Sequence, residues 1–404
     1  MKARLFQSTQ AVISRATTYS VPIQCVPTLI DGSTSNAGQG IIPYPAQEDL
    51  PENGKLQPFS LICTCRNESD SIILWLDSIA SQTIPPSELV IYDAASDDGT
   101  AETIETYFKN KMPAVSLNLI KGERCSIAQG RNRAIAVASH ENLLLTDAGC
   151  IIDSHWCEFM MRGFNYQFNK ATPCTEIYPR TDQTEIVMGF YNLQGTDSLA
   201  SDLFRIITPA LTSINPATFL PSARSLGLKK YIWQEVGGFP EHLYRAGEDT
   251  LFDLKIKELN AATVFVPQAV VYWHPPTRLY QALRSIFSYS FGDGETMRLG
   301  TKDYLRHVRD TALMLILILV IATSCIKTLS AYILVTSCGL FLAFSWRYIA
   351  STFSLARKRG ITRQNAFVAP FFLRPVMAAG FILGVTRKTL KGIKSKSGFE
   401  AVVV

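Results

Sequence analysis

The sequence predicts an α/β fold in which a mostly parallel sheet carries helices on both faces, followed by long apolar helices at the C-terminus. Three observations predict it. Short apolar runs alternate with amphipathic, cappable runs from residue 59 to residue 147. Polar clusters close the apolar runs. Charge is divided along the chain: residues 298–404 hold 16 Lys/Arg and 3 Asp/Glu, net +13, while residues 1–297 hold 23 and 31, net −8. An acidic body with a basic, apolar tail points to a membrane or a polyanion. With 47% hydrophobic and 18% charged residues the chain is not a disordered one, and 404 residues make two or three structural units.

Residues 1–30 contain Lys2, Arg4 and Arg15 and no acid, a composition shared with organelle transit peptides, but no apolar core long enough for a secretory signal. Residues 22–58 hold six prolines and four glycines. Residues 1–57 therefore read as an irregular leader and linker. Phe59–Cys65 (FSLICTC) is the first strand, ending in Arg66-Asn67-Glu68. Ser69 or Asp70 caps a helix over Ser71–Gln82, with Ile72, Ile73, Leu76 and Ile79 on one face, and Pro85-Pro86 stops it. Glu88–Tyr92 is the next strand, ending at Asp93, and the turn Ser96–Thr100 caps another helix. Val115–Leu119 reads as a third strand, Gln129–Ala138 as a helix, and Asn142–Thr146 as a strand ending at Asp147. Ligands of such sheets sit beyond the carboxyl ends of the strands. One Asp there is a turn former, but Arg66–Glu68, Asp93 and Asp147 together mark a shared site. Residues 160–221 show no clear pattern. The nine cysteines are scattered, odd in number and without paired zinc spacing, and read as buried thiols in a reducing compartment.

The tail decides between membrane and polyanion. Residues 311–326 and 328–346 carry no charge, and Lys327 between them snorkels at a boundary, giving two spans with both basic flanks on one side. The positive-inside rule places those flanks, and the acidic body, in the cytoplasm. A third apolar segment, 366–385, contains Pro370, Arg374 and Pro375. It is read as a re-entrant or interfacial element broken by its prolines, or as a third span. The basic flanks also suit anionic membrane lipids. The domains expected are thus 1–57 leader, 58–300 catalytic body, 301–396 membrane region and 397–404 tail. A nucleic acid is not expected as a partner.

From Phe59 to Leu299 the sequence resembles the inverting, nucleotide-sugar-dependent glycosyltransferases of family 2, which have the GT-A fold. TCRNE (Thr64–Glu68) is similar to the family's opening signature, and VIYDAASDDGT (Val90–Thr100) to its VVDDGSTDGT. AQGRNRAIAVA (Ala128–Ala138) and LLLTDAGC (Leu143–Cys150) resemble the helix and metal-motif strand, and VGGFPEHLYRAGEDT (Val236–Thr250) resembles the GGF…GED segment. The resemblance implies that Asp93 accepts the N–H of a nucleotide base, with Thr64, Arg66 and Glu68 lining that pocket. It implies that Arg131, Asn132 and Asp147 lie at the diphosphate, and that Asp249, with Glu248 beside it, is the general base that takes the acceptor's proton. A divalent metal, Mg or Mn, is the implied cofactor, held by Asp147 and by His274 of VVYWHPP.

Departures accompany it. Ala94 stands for the second Asp of the VVDDGS phrase, and Gly149 for the second Asp of the Asp-x-Asp motif. Gln281-Ala-Leu-Arg284-Ser285 resembles the Gln-x-x-Arg-Trp of processive synthases, but Ser285 replaces the aromatic on which a growing chain stacks. Arg284 is a candidate diphosphate contact, and Phe291–Gly294 reads as a mobile turn. Pro221–Ser225 is expected to face the acceptor or the donor sugar. The reading is a single-addition, membrane-anchored enzyme moving a sugar from a nucleotide-diphosphate donor to a lipid-linked or envelope glycan. The alternative, favoured by Gly149, is a non-catalytic nucleotide-sugar-binding membrane partner.

Overall fold

The computed structural model describes residues 57–166, 181, 183–216, 218–296, 305, 307–313, 315–316, 319 and 331–396. Residues 1–56 of the expected leader, the tail 397–404, and the Lys327 turn lie outside them. The first half runs β1 (Phe59–Cys65), α1 (Ile72–Ala80), β2 (Glu88–Ala94), α2 (Thr100–Lys111), β3 (Ser116–Gly122), α3 (Ile127–Val137) and β4 (Asn142–Leu145). Successive residues of a strand face opposite sides of a sheet, and here both sides are buried. Leu61, Cys63 and Cys65 of β1 join Leu89 and Ile91 of β2 under α1 and α2, where Trp75, Leu76, Ile104 and Phe108 pack. Ile62, Val90 and Tyr92 face the other way, onto Ala134 and Ile135 of α3. Strands filled with apolar residues on both faces, alternating with one-sided helices, leave a parallel β–α–β arrangement as the way to bury them.

The second half is β5 (Cys150–Ile152), α4 (Trp156–Phe164), β6 (Ile186–Leu193), α5 (Leu199–Ile207), β7 (Leu226–Lys229), α6 (Lys230–Glu235), α7 (Glu248–Glu258), β8 (Thr263–Trp273), α8 (Leu279–Thr296), α9 (Ala331–Arg359) and α10 (Arg363–Lys396). The sheet order is β3-β2-β1-β4-β7-β6-β8-β5. Strands β3, β2, β1 and β4 are mutually parallel, as are β6 and β8. β7 is antiparallel to both β4 and β6, and β5 to β8. The sheet is therefore mixed, where the sequence reading has it mostly parallel. β5 and β7 are three and four residues long, too short to display a period. Within β7, Gly227 leaves room that Met160 and Phe164 of α4 occupy.

Two C-terminal expectations change. Phe291–Gly294 is no turn: it lies inside the continuous helix α8. Its glycines serve close packing, since a Cβ on Gly292 would fall 2.0 Å from the Ala246 carbonyl oxygen, and one on Gly294 would fall 2.2 Å from that of Phe381. Residues 366–385 are likewise unbroken, because α10 runs through Pro370 and Pro375. Each proline forfeits one helical hydrogen bond, and packing offsets the loss. Gly380 and Gly384 press against the carbonyls of Phe287 and Phe291 on α8. Leu203 and Phe204 of α5, Ile286 of α8 and Leu373 of α10 share one apolar cluster. Arg374, awkward in an apolar segment, is neutralised at 2.8 Å by the buried carboxylate of Asp310, which also pairs with Arg309.

Among the described residues, one helix is long and apolar enough to cross a membrane: residues 363–390, with a mean hydropathy of 1.8 in its most apolar window. The described residues of 311–319 are helical, and 331–346 of the expected second span lie within α9.

Candidate active site

The carboxyl ends of β1, β2 and β4 open at one edge of the sheet, and a cluster of charged side chains gathers there. Helix α3 is aimed by a capping box: Gln129 N–H donates to Ser126 Oγ (3.2 Å), and Ser126 N–H to Gln129 Oε1 (3.0 Å). Gly130 lets the helix lie against β1, since a Cβ there would sit 2.3 Å from Thr64 Oγ1. One residue on, Arg131 enters the site with 3% of its surface exposed.

Arg131 gathers three carboxylates. Its Nη2 donates to Asp147 Oδ1 (2.8 Å), and its Nη1 to Asp249 Oδ1 (2.6 Å) and Glu248 Oε1 (3.2 Å). Glu248 and Asp249 open α7, which begins after Gly247 at φ +98°. That left-handed conformation suits glycine, and Gly247 also lies against the backbone of Gly292. The second oxygen of Asp249 accepts the Ala223 N–H (3.1 Å) and the Ser222 hydroxyl (3.3 Å).

The electrostatics follow. Burial alone would raise the Asp147 carboxyl, but Arg131 and then Arg224 outweigh it and hold it below the ordinary range. Burial, then the Asp249 charge, pushes Glu248 up to about 7 against the pull of Arg131. Asp253, one turn further along α7, is raised well above the ordinary range by burial and by Asp249.

Of the other expected site residues, Thr64 donates its hydroxyl to the Tyr92 carbonyl (3.2 Å), at the floor beneath α3. Asp93 is buried at the end of β2 and accepts the Ser96 N–H (3.2 Å) and hydroxyl. Glu68, raised by burial, accepts the Ser71 hydroxyl, and Arg66 is exposed beside it. Asn132 is turned away from Asp147. Its amide donates to the Phe239 carbonyl (2.9 Å) and Glu241 (2.8 Å) and accepts from Trp233 and Phe239, so it braces the 237–241 loop ahead of Asp249. Arg284 is exposed on α8, and no hydrogen bond joins it to the Arg131 cluster among the described residues.

Sequence reasoning gives Arg224 no role of its own beyond its place in Pro221–Ser225, the stretch expected to face the acceptor or donor sugar, and the fold brings it beside Asp147. Its Nε lies 3.5 Å from Asp147 Oδ2, and its guanidinium covers Trp273 at 4.6 Å and Tyr191 at 5.4 Å from the ring centroids. The one available signal was its place in Pro221–Ser225, a polar stretch directly ahead of β7.

A divalent metal fits this donor set poorly. Both Asp147 oxygens face guanidinium groups, and Gly149 offers no ligand. Extending the Cys150–Trp273 pairing by one step sets His274 opposite Gly149, but its ring is exposed and has no hydrogen bond to Asp147 among the described residues. No group of three or more His, Cys, Asp or Glu able to hold a metal occurs among the described residues. Among the described residues, the Asp-x-Asp position offers a hard cation one carboxylate, already facing two guanidinium groups.

Residues 60–182 match a family profile described as glycosyl transferase family 2. A poly-β-1,6-N-acetyl-D-glucosamine synthase of Staphylococcus epidermidis is 31% identical over 114 residues, which are 28% of this chain and 27% of that protein. The O-antigen chain rhamnosyltransferase WbaN of Salmonella anatum is 24% identical over 200 residues, 49% of this chain and 59% of that one. The chain thus spans from about a quarter to three fifths of the length of these relatives. Among solved structures, the mannosyltransferase PcManGT of Pyrobaculum calidifontis, in complex with GDP-mannose and Mn2+, aligns over 85% of this chain and 92% of that one, with a TM-score of 0.47 and 17% identity. Staphylococcus aureus TarS with UDP-GlcNAc aligns over the same shares, with a TM-score of 0.41 and 16% identity.

Proposed function

Residues 60–182 are a family 2 glycosyltransferase domain, and from that premise we propose that the protein transfers a single sugar from a nucleotide-diphosphate donor to a lipid-linked or envelope glycan, inverting the anomeric carbon. The observation that carries this reading is the Arg131 cluster, which joins the strand-end Asp147 to the helix-start Glu248-Asp249. Asp249 is the base. A carboxylate has about four acceptor positions, and three are filled here, by Arg131, Ala223 and Ser222. One remains for the acceptor hydroxyl. As that hydroxyl attacks, its proton passes to Asp249, and the anomeric carbon exchanges its bond to the diphosphate for a bond to the acceptor oxygen.

Asp93 lies where a strand-end carboxylate can take a base N–H, with Thr64, Arg66 and Glu68 around it. Arg131 holds the base and Asp147 in register, and Asn132 fixes the loop that delivers the base. Arg284 is a contact for a bound donor on the α8 side. Were a divalent ion bound despite that poor fit, Asp147 and His274 would be the residues to hold it and it would supply positive charge to the leaving diphosphate; chelation tests this. Names among the relatives, a poly-β-1,6-N-acetyl-D-glucosamine synthase and an O-antigen chain rhamnosyltransferase, support a glycan as the acceptor. Exposed Phe367, Ile382, Leu383 and Leu390 on α10, with the apolar 311–346 region before it, support a membrane anchor with the catalytic domain on the cytoplasmic face. α10 is packed on α8 along one side, so an interfacial placement suits it as well as a span.

Nucleotide release from a panel of UDP-, GDP- and dTDP-sugars by membranes carrying the protein tests the reading. Release with one donor, and loss of about a hundredfold or more in Asp249→Asn, is expected. Equal release by both proteins removes Asp249 as base, and no release with any donor favours a non-catalytic nucleotide-sugar-binding partner.

A further inference from the structure

The charge problem at this site has an answer within the chain. A leaving diphosphate gains negative charge as its bond to the anomeric carbon breaks, and that charge must be met by cations or N–H groups. We propose that Arg224 is the diphosphate-binding cation of this site, filling the place that the Asp-x-Asp pattern gives to a metal and that Gly149 leaves without its second carboxylate. The inference rests on the functional reading above and deepens it.

Three independent features carry it. First, Arg224 has donors to spare. Its Nη1 donates to Ser222 Oγ at 3.0 Å, but its Nε is buried and makes no hydrogen bond, lying 3.5 Å from Asp147 Oδ2. A guanidinium has five N–H donors in a planar fork matched to phosphate oxygens, and a buried donor left unpaired costs free energy until a ligand takes it. Second, there is room at Gly149, two residues past Asp147. A Cβ on Gly149 would meet no atom within 4 Å, so the space the missing carboxylate would fill has stayed open. Third, the guanidinium is held in place from behind. It sits over the rings of Trp273 at the end of β8 and Tyr191 on β6, contacts that restrain it without using its N–H donors.

Position matters as much as donor count. Asp147 accepts from Arg131 through one oxygen and faces Arg224 with the other, and Arg131 in turn holds Asp249. A diphosphate on Arg224 is therefore linked to the base through three ion pairs. In the transfer, the anomeric carbon–phosphate oxygen bond breaks with its electron pair going to the diphosphate. The acceptor oxygen bonds the anomeric carbon, the acceptor proton goes to Asp249, and Arg224 donates N–H groups to the departing oxygens. No outside co-reactant is needed.

Equilibrium binding to the detergent-solubilised full chain separates this role from a merely structural one. UDP, GDP and dTDP, and the matching monophosphates, are titrated by calorimetry with EDTA in excess, into wild type, Arg224→Gln and Arg224→Lys. The expected result is a preference for one diphosphate over its monophosphate that survives EDTA. Arg224→Gln should lower diphosphate affinity by about tenfold or more, the loss expected for charge-assisted hydrogen bonds, with monophosphate affinity unchanged and Arg224→Lys in between. Diphosphate binding that vanishes in EDTA, returns with Mn2+ and is unaltered in Arg224→Gln overturns the proposal. So does an equal loss of both ligands, which would make Arg224 a brace for the pocket. Wild type that binds none of the diphosphates overturns the functional reading itself, so the two failures are told apart.

Discussion

At the scale of single residues, the site is a balance of three acids on one base. Arg131 is a single cation among Asp147, Glu248 and Asp249, so one carboxyl of this cluster holds its proton above the ordinary range. Glu248 is that group, raised from its ordinary 4.5 to about 7. Between those values the folded protein holds a proton that the unfolded chain releases. The stability this contributes is complete below pH 4.5 and is lost as pH rises to about 7. Asp147 works in the opposite sense: its pKa is lowered, and its contribution is lost as pH falls below the ordinary carboxylate range. Glu248→Gln is accordingly expected to flatten the decline in melting temperature between pH 5 and 7 without touching the loss in acid. Parallel declines in both proteins would mean that Glu248 ionises freely. The sequence showed Asp147, Glu248 and Asp249 as candidates because each sits at an element end with a recognisable neighbour. Arg224 stayed hidden because its partners, Asp147, Tyr191 and Trp273, lie 77, 33 and 49 positions away in the chain, and only the antiparallel insertion of β7 brings them together.

Among elements, legibility follows length and period. β1, β2 and β4 and the helices around them could be read because those strands bury both faces and each helix only one, so the apolar period changes at every boundary. β5 and β7 span no more than two periods, and β6 follows a stretch with no pattern at all. The glycines of α8 misled for a different reason. In a sequence, Gly-Asp-Gly signals a turn, but Gly292 and Gly294 are there because two backbones touch them, one from the 246–247 loop and one from α10. Gly292→Ala places a methyl group 2.0 Å from the Ala246 carbonyl oxygen and must separate α8 from the loop that presents Glu248 and Asp249. A loss of about 1–3 kcal/mol in stability is expected, with kcat falling more than donor affinity, because the base moves while the nucleotide pocket at β1 and β2 does not. Unchanged kcat in a folded Gly292→Ala protein would show that the contact does not position the base.

Over the whole molecule, the divided charge seen first in the composition resolves into two kinds of ion pair. The acidic body gathers three carboxylates, Asp147, Glu248 and Asp249, on Arg131. The basic C-terminal region spends one of its few acids, Asp310, on Arg374 and Arg309. Removing one partner of a buried pair strands the other. Arg374→Met leaves Asp310 with Arg309, so thermal stability in detergent should fall by about 1–3 kcal/mol, less than the full cost of an unpaired buried charge. If the fall is absent, the Asp310–Arg374 bridge adds nothing to the helical packing. The protein as a whole is expected to sediment with membranes and to resist alkaline carbonate, and release by carbonate would leave α10 as a surface element only.

Contact between backbones has one more consequence. Gly247 meets Gly292, and Gly294 meets Phe381, with no side chain interposed in either joint. From the start of α7 to the middle of α10 the molecule is therefore a rigid strut, with no rotamer in it to adjust its length. If α10 lies at the bilayer as proposed, the strut sets a fixed stand-off between lipid and base. Acceptors would then be selected by how far their hydroxyl projects from the membrane, before any pocket reads its chemistry.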